Sequence, residues 1–303
     1  SKGNKNDSSR RNPAFFERMK AMILVTGAKG QLGMELCHLL DEQEIEYVGT
    51  AMADLDITNA EQVTHFVQTL QPTIIFHCAA YTAVDLAEDE GKALNQAVNI
   101  DGTKNIALAA KEVGAILVYI STDYVFDGML DEGEYAVDAL TNPQNEYGKA
   151  KLAGEQVIQE LLTQYYIIRT SWVFGQYGSN FVYTMKKLAE NRKTLTIVSD
   201  QIGRPTWTRT LAEFMQFIVE KEAPYGVYHL SNEGSCSWYE FAKEILKENT
   251  DVEVLPITSE EFPQKATRPK RSIMDLSKSE ELGFEIISWE EALCQFMKLG
   301  STI

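Results

Sequence analysis

From Met22 onward, short apolar runs alternate with longer stretches of helical periodicity, and this alternation is what most narrows the folds open to the chain. Ile23-Leu24-Val25 precedes a helical stretch over residues 32–40. A weak strand at Tyr47-Val48 precedes a helix over Ala60–Leu70, which Pro72 stops. The β-rich run 73–78 leads into a helix over 97–113, where Ile106, Ala109, Ala110 and Val113 share one face and Gly114 closes it. A strand at 116–120, a helix at 147–162 and a strand at 166–168 continue the series. Strand and helix at this pitch imply an α/β chain with a doubly wound parallel sheet covered by helices on both faces. Such sheets bind ligands beyond the carboxyl ends of their strands.

After Thr170 the pattern loosens. Leu211, Phe214, Met215 and Ile218 mark one more amphipathic helix, Val227 to Leu230 a strand, and Phe241, Ile245 and Leu246 a further helix. Turn residues are dense over 200–207 and 256–269. The reading is a sheet domain over 22–170, to which segments near 208–230 return, and a smaller C-terminal lobe over 171–303. Residues 1–21 are polar and charged around a short Ala14-Phe15-Phe16 patch; they are expected to be an extension or cloning remnant outside the fold, disordered or loosely attached.

The formal net charge of −16 excludes a nucleic-acid backbone as partner, because that needs a cationic surface. An anionic small molecule is still allowed if basic residues gather, and Arg204, Arg209, Arg268, Lys270 and Arg271 are the candidates. No run is long and apolar enough to span a membrane. The four cysteines show no paired spacing, which suits reduced thiols in the cytoplasm. No metal site is expected.

Gly27-Ala28-Lys29-Gly30-Gln31-Leu32-Gly33 joins the first strand to the first helix. Glycines there allow a tight turn, close approach of backbone to a pyrophosphate, and close packing of helix on strand. The helix start then offers free N–H groups and partial positive charge to phosphates. The chain therefore reads as a Rossmann-type dinucleotide binder. The acid that usually holds the ribose 2′-hydroxyl after the second strand is missing: the strand end reads Val48-Gly49-Thr50. No arginine stands there either, so NADH and NADPH both remain open. Asp56 and Ile57 lie a little further on and either line an adenine pocket or, for Asp56, cap the helix at Ala60.

Tyr147 and Lys151 are four apart on a predicted helix and so share a face. An ammonium beside a phenol favours the phenolate, so Lys151 is expected to lower the Tyr147 pKa from about 10 and make it a usable general acid for a carbonyl receiving hydride. Ser121 to Gly128 follows the strand at 116–120, where a hydroxyl can stabilise the same carbonyl.

The stretches Thr26 to Gly33, His77 to Asp85, Ser121 to Gly128, Tyr147 to Lys151, Arg169 to Gly175 and Asp200 to Thr206 together resemble the dTDP-4-dehydrorhamnose reductases, a family of extended short-chain dehydrogenases/reductases. The resemblance runs from Met22 to the C-terminus. It implies reduction of the 4-keto group of a dTDP-linked sugar by NADPH or NADH, in the route to dTDP-rhamnose and thence cell-wall polysaccharide. In that pattern Tyr147 gives the proton, Lys151 supports it and holds the ribose, and Thr122 hydrogen-bonds the carbonyl. Gly27, Gly30, Gln31, Leu32, Gly33, Ala79, Ala80, Tyr81, Thr82 and Asn99 fall at cofactor positions. Trp172 meets the sugar or packs in the core, Asp123 and Tyr124 lie beside it, and Arg204 and Arg268 reach the diphosphate or remain surface arginines. Family members include dimers, so a monomer or a homodimer is expected. The rivals are a 4-epimerase or dehydratase of the same fold, and a non-catalytic nucleotide-binding regulatory subunit. The dehydratase pattern places a glutamate two residues after the threonine, where this chain has Tyr124.

Overall fold

The computed structural model describes residues 14–300. Its main sheet has six strands: β1 (Ile23–Thr26), β2 (Val48–Thr50), β3 (Ile74–His77), β4 (Ile116–Thr122), β5 (Tyr165–Thr170) and β10 (Gly226–His229). Their order is β10-β5-β4-β3-β1-β2, and every pairing is parallel. The order reverses between β1 and β3, which is where such a sheet opens a crevice for a ligand.

The strands carry apolar residues without a break because both faces are covered. Ile23 and Val25, Ile74 and Phe76, Val118, and Tyr166 and Ile168 face one core; Leu24, Ile75, Leu117 and Tyr119, and Ile167 face the other. The first core is closed by α2 (Gln31–Glu42) and α8 (Thr208–Glu220). The second is closed by α3 (Ala60–Leu70), α5 (Thr103–Val113) and α6 (Glu146–Leu161). Segment 208–230 thus supplies a helix and a strand to the sheet.

A third core lies in the later half, among α7 (Phe181–Asn191), β7 (Thr194–Val198), α9 (Trp238–Ile245) and α11 (Trp289–Gly300). Small two-stranded pairs tie it together: β6 (Val173–Phe174) with β9 (Thr206–Trp207), β8 (Ile202–Gly203) with β11 (Cys236–Ser237), and β7 with β12 (Glu253–Ile257). A short α10 (Ser277–Glu280) packs near β10. No helix among the described residues is long and apolar enough to cross a membrane.

Two expectations change. The chain was expected to become organised at Met22, yet α1 (Ala14–Arg18) forms, and Phe15 and Phe16 bury themselves in the first core. Two aromatic side chains remove enough apolar surface from water to hold a short helix that propensity alone would not. Residues 1–13, the rest of that expected extension, lie outside the described residues. The single helix expected over 97–113 is instead α4 (Lys92–Gln96), a π-helical turn over Ala97–Gly102, and α5. Insertions of this kind cluster at functional sites, and this one carries Asn99.

Candidate active site

The strand ends Thr26, His77, Thr122 and Thr170 converge on the crevice. His77 bridges elements there, its Nδ1 2.7 Å from Thr26 Oγ1 and its Nε2 3.1 Å from Thr103 Oγ1. Burial drives its pKa down to about 3, so the ring is neutral and holds β1, β3 and α5 in register.

A cavity of about 450 Å³ opens above these ends. It is bordered by Gly30, Gln31 and Leu32 from the glycine turn, Ala80 and Thr82 after β3, Thr122, Asp123 and Tyr124 after β4, Tyr147 and Lys151 from α6, and Trp172 after β5. Residues far apart in sequence but predicted to act together therefore do meet.

The turn fits a dinucleotide. Gly27 has φ +63°, and a Cβ on it would sit 2.5 Å from the Ala79 nitrogen. A Cβ on Gly33 would overlap the Gly27 carbonyl oxygen. Gly30 caps α2 with no side-chain bond, which leaves the first N–H groups to a ligand. Among the described residues, Gln31 Oε1 and Thr170 Oγ1 are buried without a hydrogen-bond partner, and both residues border the cavity. Overpacking of Gly33→Ala costs about 1–3 kcal/mol. Its NADPH Kd is expected to rise about tenfold or more by titration of nicotinamide fluorescence; an unchanged Kd would remove the turn as the phosphate site.

Lys151 is buried and Tyr147 half-buried, and both share the cavity face of α6, whose start is fixed by Asn145 accepting from Gly148 N at 2.7 Å. The expected lowering of the phenol does not occur. Burial, then Tyr124 and Asp123, push the Tyr147 pKa up. Lys151 spends its field elsewhere: its ammonium lies 4.4 Å from the Tyr119 ring centroid and interacts with Glu155 and Cys78. Burial in turn lowers Lys151 to about 8, against the opposing pull of Glu155 and Cys78. The phenol thus keeps its proton, and the ammonium is lost as pH rises through about 8, earlier than on an exposed lysine. We expect kcat to fall above about pH 8; a profile flat to the alkaline limit of stability would remove that charge from turnover.

Thr122 Oγ1 donates to Asp123 Oδ1 at 3.2 Å and accepts from Tyr124 N at 3.1 Å. Burial raises Asp123 to about 7, although Ser272 and Thr122 hydrogen bonds hold it down. Tyr124 meets the Tyr147 ring edge-on, centroids 6.1 Å apart. Trp172 takes φ +48°, a left-handed conformation that costs a bulky residue about 1–3 kcal/mol, and such strain gathers at functional sites.

Other expected residues are placed away from the cavity. Ala79 donates its N–H to Thr26 Oγ1. Asn99 does not face the cavity; its amide brackets the Tyr81 backbone, accepting from Tyr81 N at 3.1 Å and donating to Tyr81 O at 2.9 Å. Ile57 lies in the second core. Asp56 accepts from Thr58, and the cap of α3 is Asn59. Arg204 is not free for a diphosphate: it is buried and donates to Gly234 O, Met274 O and Glu134. Arg268 pairs with both oxygens of Asp85 beside Tyr124. The expected basic cluster does not form, since Arg209 is held by Glu42 and Glu213 and Arg271 by Gly133 O.

The sequence reading missed a buried ionic network behind the site. Arg169 at the end of β5 grips Glu155 with Nε at 3.0 Å and an Nη at 2.7 Å, and Ser121 Oγ donates to Glu155 at 2.5 Å. Glu155 follows Lys151 by one helical turn, a spacing that was visible in the sequence.

The RmlD substrate binding domain family matches residues 19–301. The chain is 42% identical over 283 residues to the spore coat polysaccharide biosynthesis protein SpsK of Bacillus subtilis, covering 92% of this chain and 98% of that one. It is 39% identical over 287 residues to the dTDP-4-dehydrorhamnose reductase of Aggregatibacter actinomycetemcomitans, covering 90% and 97%. The crystal structure of dTDP-4-dehydrorhamnose reductase from Bacillus anthracis in complex with NADP superposes with a TM-score of 0.87 at 46% identity, covering 91% of this chain and 98% of that chain. With its Rossmann-type sheet, glycine turn and Tyr/Lys helix all in place, this chain belongs to the dTDP-4-dehydrorhamnose reductase family.

Proposed function

We propose that the protein reduces the 4-keto group of dTDP-4-dehydro-L-rhamnose to the hydroxyl of dTDP-L-rhamnose with NADPH or NADH. The observation that carries this is the meeting of the glycine turn, Thr122, Tyr147, Lys151 and Trp172 around one cavity, in a chain of this family. A bound nicotinamide supplies the hydride. Tyr147 gives its proton to the carbonyl oxygen as that oxygen gains charge, and burial ensures that the proton is there to give. Lys151 borders the same cavity and holds the nicotinamide ribose. Thr122 turns its hydroxyl from Asp123 to the same oxygen and stabilises the developing charge.

Trp172 meets the sugar, with Asp123 and Tyr124 beside it. The diphosphate is assigned to Arg268, which pairs with Asp85 beside Tyr124, in preference to the enclosed Arg204. The third core and its short strand pairs form the sugar-binding lobe. We place the enzyme in the cytoplasm, as a monomer or homodimer; its four thiols are unpaired, as a reducing compartment keeps them.

Incubation with the keto-sugar and either nicotinamide cofactor tests the reading. Stoichiometric cofactor oxidation with formation of dTDP-rhamnose is expected. Turnover of the sugar without net cofactor oxidation would point to an epimerase or dehydratase, and neither would leave a binding role.

A further inference from the structure

Trp172 and Trp238 lie face to face, ring centroids 3.6 Å apart and planes 9° apart. Two indoles left to themselves prefer an offset or edge-on arrangement, so this sandwich has to be imposed. The β8–β11 pair imposes it. Gly203 is opposite Cys236, and Ile202 opposite Ser237. Ser237 then caps α9 through reciprocal 3.0 Å bonds with Glu240, which fixes the first helical residue, Trp238. Gly203 presses on the other indole: a Cβ there would come 2.6 Å from Trp172 Cε2. Trp238 is pinned further by donating Nε1–H to Gln201 Oε1 at 3.1 Å, by Gln201 Nε2 donating to Ser259 Oγ at 3.1 Å, and by the Phe181 ring 4.8 Å away. The Trp172 backbone, at φ +48°, is held by Thr206 N donating to its carbonyl oxygen at 3.0 Å. Trp172 borders the cavity; Trp238 does not.

We propose that Trp238 is a positioning residue for sugar selection, acting through Trp172 by holding that indole as a fixed wall of the cleft. This rests on the reading that Trp172 meets the sugar. A freed Trp172 would relax from its left-handed conformation and lose contact with the sugar in ground and transition states alike. That loss raises KM for the sugar without changing kcat. The dinucleotide, held by the glycine turn, is indifferent to it.

The test is steady-state kinetics of Trp238→Ala, Trp238→Phe and Trp172→Ala, with NADPH titrations and near-UV circular dichroism. The coupled signal of two stacked indoles is expected to vanish in both alanine variants. Trp238→Ala is expected to raise the keto-sugar KM roughly threefold to tenfold, with kcat and NADPH Kd unchanged. Trp238→Phe, which restores an aromatic face, is expected to recover most of the affinity. If Trp238→Ala does not fold, Trp238→Leu is measured in its place and judged by the same split. A wild-type KM in the Trp238 variants, or a parallel loss of NADPH binding and kcat, overturns the proposal. If Trp172→Ala raises KM and Trp238→Ala does not, the positioning role alone falls. If neither raises it, the sugar contact assigned to Trp172 falls as well.

Discussion

Tyr147→Phe is expected to lower kcat by roughly 10²–10⁴-fold while leaving the fold and NADPH affinity near wild type. The change removes one hydroxyl and keeps the ring, so the edge-on contact with Tyr124 survives. Among the described residues no hydrogen bond contributes to the electrostatics of that hydroxyl, so its loss leaves no orphaned partner behind. The only function removed is delivery of a proton. The size of the effect also discriminates between two ideas of the phenol. If Tyr147 served as a standing phenolate, activity should rise with pH toward a high value. The structure argues the reverse: burial and the neighbouring Tyr124 and Asp123 keep the proton on, and the alkaline limit is set by Lys151. Single-turnover rates of the variant across pH separate these cases, and turnover within a few-fold of wild type would end the proton-donor assignment.

Much of this was legible in the sequence, for definite physical reasons. A sheet buried on both faces leaves apolar runs that can be seen without a structure, and a turn pressed against the end of β3 at Gly27 and against its own helix at Gly33 leaves obligatory glycines there. What could not be read was which polar groups are buried. Arg204 follows a turn and looks like a surface cation, yet three acceptors from distant segments enclose it. Asn99 falls at a cofactor position in the family pattern, yet the π-helical turn that carries it sets its amide against the Tyr81 backbone. The Tyr147–Lys151 spacing implied proximity but not burial, and burial sets the sign of the tyrosine shift. Phe15 and Phe16 stand in a short apolar patch inside a polar segment, and only the core they complete explains them.

Arg169→Met is expected to be the most destabilising single change discussed, because it strips the buried Glu155 carboxylate of its bidentate hydrogen-bonded partner. The two side chains are 5% and 1% exposed. Breaking such a pair from one side costs about 3–5 kcal/mol, whereas replacing both partners with apolar groups of similar size is often close to neutral. The lost bonds also include Arg169 to Val137 O at 3.1 Å and the stacking of its guanidinium over Phe126 at 5.1 Å. A fall in Tm of about 10 °C is therefore expected for the single variant. The double variant Glu155→Leu with Arg169→Met is expected to recover much of it, less the bond that Ser121 loses. Additive losses in the double variant would mean that the pair is not coupled. The network also reaches the chemistry. Glu155 pulls the Lys151 pKa upward against burial, so Glu155→Gln is expected to bring the alkaline fall in kcat to lower pH, below about 8. A pair serving stability alone would leave that limb in place, so the pH profile of Glu155→Gln measures how far the scaffold behind the site sets the charge within it.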